Sequence, residues 1–158
     1  MNEMLGNQYY LSERYKEASE QYEKALLINP TNYSIKKKLI ICYLQIGDLQ
    51  MALKIFTSLI SENIQVLLNC NLDCENCPCQ QKIYELENYP AELSEKEKLE
   101  MLGILWLYCD IYNSRKYFSK LKKLEPNDPL FNKISQQINH NLSQNYEEKQ
   151  NARKRNFS

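Results

Sequence analysis

The stretch LGNQYYLSERYKEASEQYEKALLINPTN, residues 5–32, decides the fold because it reads as two amphipathic helices joined by a short turn. Eight key positions of this stretch recur 34 residues later. The pairs are Leu5 and Leu39, Gly6 and Ile40, Tyr9 and Tyr43, Tyr15 and Leu49, Ala18 and Ala52, Tyr22 and Phe56, Ala25 and Leu59, and Pro30 and Ile64. A fixed period with alanine where helix backbones meet is typical of stacked helix pairs.

A third copy of the pattern follows after an interruption. Its second helix matches at a spacing of 62 residues and its first helix at 63, so one residue is missing at the turn near Asp110. Ser114 takes the place of the packing alanine. The aligned residues are Phe56 with Phe118, Leu59 with Leu121, Ile64 with Pro126, Leu39 with Leu102, Ile40 with Gly103, and Tyr43 with Trp106.

The pattern resembles the tetratricopeptide repeat (TPR) family. Residues 5–32 fit the family consensus closely, with Glu13 where a turn glycine is usual, and the second repeat has that glycine at Gly47. The resemblance implies an all-α fold, a TPR-type helix-turn-helix superhelix of about three repeats with a concave groove. We expect a C-terminal helix to cap it.

Breaks in the pattern divide the chain into five parts. The predicted parts are two repeats over 1–66, a cysteine-rich insert over 67–94, a third repeat over 95–128, a capping helix over 129–145 and a flexible tail over 146–158. Ser94 followed by Glu97 predicts a capping box at the start of the third repeat. Asp128 before Pro129 predicts the start of the capping helix. The tail has almost no apolar residues, so we expect it to be disordered.

Composition argues against several classes of function. The chain has 20 basic and 20 acidic residues, which gives no overall charge to attract nucleic acid or a membrane surface. It has neither a stretch of about 18 apolar residues nor a signal-peptide pattern, so we expect a cytoplasmic protein. With a single histidine, His140, and no phosphate-binding loop, we expect no enzyme activity and no small-molecule substrate.

Four cysteines within ten residues, in the pattern C-x3-C-x2-C-x-C, form the second informative feature. Cys70, Cys74, Cys77 and Cys79 are close enough in sequence for their thiolates to surround one metal ion. We predict structural zinc, with a [4Fe-4S] cluster as the alternative. Two disulfides, or free thiols in a mobile loop, are the competing interpretations. Cys42 and Cys109 have apolar neighbours and are predicted to be core residues.

In the TPR family the first helices of the repeats line the groove, and the resemblance implies a partner-binding surface there. The candidate residues are Asn7, Tyr10, Leu11, Lys37, Lys38, Ile41, Leu44, Ile104 and Tyr108. We predict a non-catalytic scaffold or adaptor that binds a peptide or helix of a partner protein in this groove. The competing interpretation of these residues is that the insert or the tail covers several of them.

The alternative function places the activity in the cysteine loop. A protein of this kind would be a redox- or metal-responsive regulator in which the zinc or iron-sulfur loop is the switch. Nucleic-acid binding through the short basic runs at Lys36–Lys38 and Arg153–Arg155 is the weakest interpretation, since such runs are usually solvated faces.

Overall fold

The structure is a computed structural model that describes residues 1–68, 78–89 and 92–157. Nine helices and no strand lie within these ranges, which confirms the all-α prediction. The helices are α1 (Asn2–Leu11), α2 (Tyr15–Ile28), α3 (Tyr33–Ile46), α4 (Leu49–Asn63), α5 (Gln65–Leu68), α6 (Pro78–Asn88), α7 (Glu95–Leu107), α8 (Ile111–Leu124) and α9 (Pro129–Asn156).

Helices α1 with α2, α3 with α4, and α7 with α8 form the three predicted pairs, and α2 also packs closely against α3. In the first and third pairs, a glycine on the first helix lets an aromatic ring of the second helix approach its backbone closely. A Cβ atom on Gly6 would lie 2.7 Å from the Tyr22 ring, and one on Gly103 would lie 2.8 Å from the Phe118 ring. The aromatic side chain of each second helix therefore lies directly on the backbone of the first helix.

The turns inside the first two pairs share one backbone conformation. Gly47 has a φ of 81° and Glu13 has a φ of 59°, so both occupy the left-handed region. Glycine adopts this region without strain, whereas a side chain makes it unfavourable. The first repeat therefore keeps the turn geometry that its missing glycine would have favoured.

Ser114 packs in the third pair as alanine does in the other two. It is fully buried, and its hydroxyl donates a hydrogen bond to the backbone carbonyl of Gly103 at 2.7 Å. Because this hydrogen bond satisfies the buried hydroxyl, serine fits where two helix backbones meet.

The third pair meets the second in an unexpected way. The rings of Phe56 and Phe118, which are equivalent positions, stack with centroids 5.8 Å apart and planes inclined by 16°. In a simple stack of repeats, equivalent side chains are separated by at least one interhelix distance, about 8–10 Å. Helix α4 also packs against both α7 and α9. The third pair therefore packs on α4 of the second pair, and these equivalent rings lie closer together than in an evenly spaced stack.

The insert contributes to the same core as the repeats. Leu67 on α5 and Cys79, Ile83 and Leu86 on α6 are all buried in it. The sequence predicted a cysteine-rich insert over 67–94 that separates the repeats. Its described part is instead an integral layer of the molecule.

Helix α9 starts as predicted but ends later. Asp128 accepts a hydrogen bond from the Leu130 backbone N–H at 2.9 Å, with proline at the first helical position. The capping box of Ser94 and Glu97 on α7 is also present. The predicted end near Asn145 and the disordered tail differ from the structure, which continues α9 to Asn156. Good helix formers without glycine or proline, and basic residues in the last turn, account for the extension.

Candidate partner-binding groove

On the first repeat, α1 presents Asn7, Tyr10 and Leu11 at the groove. The Asn7 side-chain oxygen accepts hydrogen bonds from Tyr22 Oη and from Lys38 Nζ, both at 2.8 Å. Asn7 and Lys38 are therefore half-buried and held against each other. Leu11 is 83% exposed at the end of α1, which is the most accessible apolar position among the predicted groove residues.

On the second repeat, the apolar groove positions of α3 are covered. Ile41 and Leu44 are each 1% exposed. Lys37 is half-buried, and its backbone carbonyl accepts a hydrogen bond from Tyr108 Oη at 2.8 Å. This hydrogen bond joins α3 to the residue that follows α7 and so links the second and third repeats.

On the third repeat, the predicted groove positions are also inside the molecule. Ile104 is fully buried and Tyr108 is 7% exposed. Glu100, on the same helix, is buried as well, and burial raises the pKa of its carboxyl group. Four of the nine predicted partner-binding residues, Ile41, Leu44, Ile104 and Tyr108, are therefore shielded from any partner in this conformation.

Helix α6 lies beside the third repeat. Its face with Cys79, Ile83 and Leu86 points into the core, and it packs against α7. The start of α6 lines the same cleft as Tyr10 on α1 and Gln45 on α3. The described part of the insert therefore lies next to part of the predicted groove.

Glu87, near the end of α6, fastens this helix to the third repeat. Its carboxylate accepts a hydrogen bond from Trp106 Nε1 at 3.2 Å and another from Tyr117 Oη at 2.7 Å. Burial and the hydrogen bond to Glu87 raise the pKa of Tyr117 to about 12, so the phenol remains a donor at neutral pH. Sequence reasoning missed Glu87, because nothing in the repeat pattern marks a glutamate in the insert.

A cleft of about 810 Å³ remains open between α6 and the first two repeats. Tyr10, Leu11, Tyr15 and Gln45 line the repeat side of the cleft. Tyr10 and Tyr15 meet edge to face, with ring centroids 5.7 Å apart. The other lining residues are Glu13, Pro78, Gln80, Gln81, Lys82 and Glu85. The repeat side of the cleft therefore combines apolar and aromatic side chains with the polar Glu13 and Gln45, and the α6 side is mostly polar. The groove pattern predicted Tyr10 and Leu11, while Tyr15 is a residue that it missed.

The predicted metal site is described only at Cys79. Cys70, Cys74 and Cys77 lie outside the described residues. Cys79 is fully buried in the first turn of α6. Within the described residues, no group of three or more His, Cys, Asp or Glu side chains is arranged to hold a metal ion.

The remaining singled-out residues differ in burial. Cys42 is buried as predicted, and this burial raises the pKa of its thiol to about 12. Cys109 was predicted to be a core residue, which is wrong. It is exposed because α7 ends at Leu107 and leaves Cys109 in the following turn. His140 lies on the exposed face of α9.

The packed helix pairs define an all-α helical-repeat protein. The family model of the tetratricopeptide repeat matches residues 3–32, which form the first pair. The chain therefore carries a tetratricopeptide repeat and has a TPR-type fold, which indicates a scaffold for protein-protein interaction. No curated protein and no solved structure matches the chain. Within the described ranges, no helix combines the length and apolar composition that a membrane crossing requires.

Proposed function

We propose that the protein is a non-catalytic scaffold that binds a peptide or helix of a partner protein in its concave groove. The partner segment enters this groove through the cleft beside α6. The observation that carries this proposal is the open cleft of about 810 Å³ at the predicted groove residues Tyr10 and Leu11. Leu11, 83% exposed at this cleft, offers apolar area that a partner can bury.

The two walls of the cleft define the chemistry of the partner segment. Tyr10, Leu11 and Tyr15 favour an apolar or aromatic anchor. Gln80 and Gln81 offer amide donors and acceptors to the backbone or side chains beside that anchor. A peptide with one large apolar residue between polar neighbours fits both walls.

A pair of leucine variants tests this site. Leu11→Asp places a charge in the cleft, whereas Leu27→Asp changes a leucine of matching exposure, 84%, on α2 outside the cleft. The wild type and both variants are used to recover bound proteins, which are then compared by mass spectrometry. We expect Leu11→Asp to lose partners that Leu27→Asp retains. Equal recovery by the two variants contradicts a partner site in this cleft.

We also propose that Cys70, Cys74, Cys77 and Cys79 hold a structural zinc ion. The support is their spacing in the sequence, together with the full burial of Cys79, which suits a ligand of a closed site. Bound zinc would hold the insert together by tetrahedral thiolate coordination. A closed site with four cysteine ligands leaves no open coordination position for a substrate, so the proposed role is structural.

Elemental analysis of the purified chain tests the zinc proposal. We expect one zinc per chain, lost in Cys74→Ser and retained in Cys109→Ser, which alters an exposed cysteine outside the cluster. A brown protein with visible absorption indicates the iron-sulfur alternative. Reversible loss of thiols in mild oxidant, without any metal, indicates the redox-switch alternative.

A further inference from the structure

Helix α6 has the surface pattern of a helix bound in a groove. Cys79, Ile83 and Leu86 have the spacing i, i+4 and i+7, which places them on one face, and all three are buried. Its other face is in solvent, with Tyr84 58% exposed. This arrangement is the one that amphipathic helices adopt when they dock into hydrophobic grooves of other proteins.

The end of α6 adds a charged contact to this apolar face. The Glu87 carboxylate, one residue after Leu86, accepts hydrogen bonds from both Trp106 and Tyr117. These donors lie on two different helices, α7 and α8. The third repeat thus provides an indole N–H and a phenol O–H that converge on one carboxylate, and hydrogen bonds to ionised acceptors are stronger than those between neutral groups.

We infer that α6 is an intramolecular ligand of the groove, and that the partner is an amphipathic helix that replaces it. That helix carries apolar residues at i, i+4 and i+7 and a carboxylate at i+8, the pattern of Cys79, Ile83, Leu86 and Glu87. The inference rests on the proposed function, because it identifies the partner of that same groove.

The affinity of the groove for a partner then depends on how often α6 leaves it. When only a fraction of molecules is open, the apparent dissociation constant rises in inverse proportion to that fraction. The helix α6 has 11 residues, and isolated helices of this length are marginal in water. Weakening its docking contacts should therefore increase the open fraction and tighten the binding of a competing helix.

A fluorescently labelled peptide of residues 78–89 provides a direct probe, with anisotropy measured under reducing conditions. The peptide is titrated with the wild-type chain and with Glu87→Gln, Glu92→Gln and Ile83→Asp chains. Glu87 is exposed, so Glu87→Gln weakens docking without disturbing the core. Glu92→Gln is the matched control, because Glu92 is an exposed glutamate that follows α6 and lies outside the cleft. A peptide with Asp in place of Ile83 tests the apolar face.

We expect Glu87→Gln to bind the peptide about tenfold more tightly than the wild type. Glu92→Gln should resemble the wild type, and Ile83→Asp should bind most tightly. The peptide with Asp at position 83 should bind none of the chains. Glu87→Gln alone decides the matter if Ile83→Asp does not fold. A folded Glu87→Gln chain that binds no better than the wild type overturns the inference, as does equal binding of the two peptides.

This result is separable from a failure of the proposed function. Loss of partners in Leu11→Asp, combined with peptide binding that is insensitive to Glu87→Gln, leaves the cleft as the site and removes the displacement of α6. Peptide binding that follows Glu87, combined with partners that ignore Leu11→Asp, keeps α6 as a groove ligand and places the natural partner elsewhere.

Discussion

The first two helix pairs and the third pair are built from the same residue pattern, yet they use it differently. In the first two, α2 packs against the following α3 as neighbours in a regular array do. In the third, the equivalent phenylalanines Phe56 and Phe118 stack on each other. A repeat pattern thus specifies how two helices pack within a pair, while the chain between pairs determines how the pairs meet.

The comparison also separates two kinds of groove position. Leu11 on the first pair is in solvent, whereas Ile41 on the second is covered by other parts of the chain. We expect Ile41→Asp to lower the free energy of unfolding by on the order of 4 kcal/mol or more, because it buries an unpaired charge. Leu11→Asp should change it by less than about 0.5 kcal/mol. Urea denaturation followed by circular dichroism measures both, and similar losses would mean that α1 is also covered.

The contact between the second and third pairs can be broken at its stacked rings. Phe56→Ala and Phe118→Ala should each cost about 3–5 kcal/mol, since both side chains are fully buried. Their double variant should show a coupling of about 0.5–1.5 kcal/mol.

The control for this double-mutant comparison uses the equivalent position of the first pair. Tyr22 has its ring contact with Tyr10, so Tyr22→Ala and Phe56→Ala should be additive within about 0.5 kcal/mol. Additivity for Phe56 and Phe118 would instead show that the third pair does not face the second in solution.

The turns of the first two pairs allow a smaller and more local test. A Cβ atom on Gly47 would meet nothing within 4 Å, so Gly47→Ala reports only the cost of its positive φ, about 1–2 kcal/mol. Glu13→Gly should stabilise the first turn, by about 0.5–1 kcal/mol, because Glu13 already has the same conformation. Thermal unfolding measures both, and destabilisation by Glu13→Gly would contradict the shared turn geometry.

The smallest expected effect concerns Glu100 on the third pair. It occupies the position that Lys37 has on the second pair. Burial raises the pKa of Glu100, so its contribution to stability is greatest below its ordinary pKa of 4.5 and is lost as pH rises through the raised value. Lys96 offsets part of this effect. Glu100→Gln should therefore be more stable than the wild type at pH 7, with the difference vanishing as the pH falls below 4.5.

Glu97 on the same helix provides a control of opposite sign. The hydrogen bonds from Ser94 lower its pKa, so its stabilising effect is present at neutral pH and lost on acidification. Glu97→Gln should lower stability at pH 7 and have little effect in acid. Parallel pH profiles for the two variants would contradict the burial of Glu100.

Sequence reasoning succeeded where local rules decide the structure. The helix starts at Ser94 and Asp128 follow from capping chemistry, and the pairing of α7 with α8 follows from the repeat spacing. It did not anticipate the burial of Ile41 and Ile104, because a groove inferred from one repeat does not reveal what another segment places over it. The network at Glu87 depends on contacts between residues 19 and 30 positions apart, which no periodic pattern encodes.

The position of α6 on the same chain as its groove affects how well other helices compete with it. A segment on the same chain as its binding site is present there at an effective concentration of about millimolar. An unrelated amphipathic helix at micromolar concentration is therefore outcompeted by α6. Only a partner that gains further contacts, for example at Leu11 and Tyr15 in the adjoining cleft, overcomes this local excess. The covalent linkage of α6 thus acts as a selectivity filter against the many weak helices of a crowded solution.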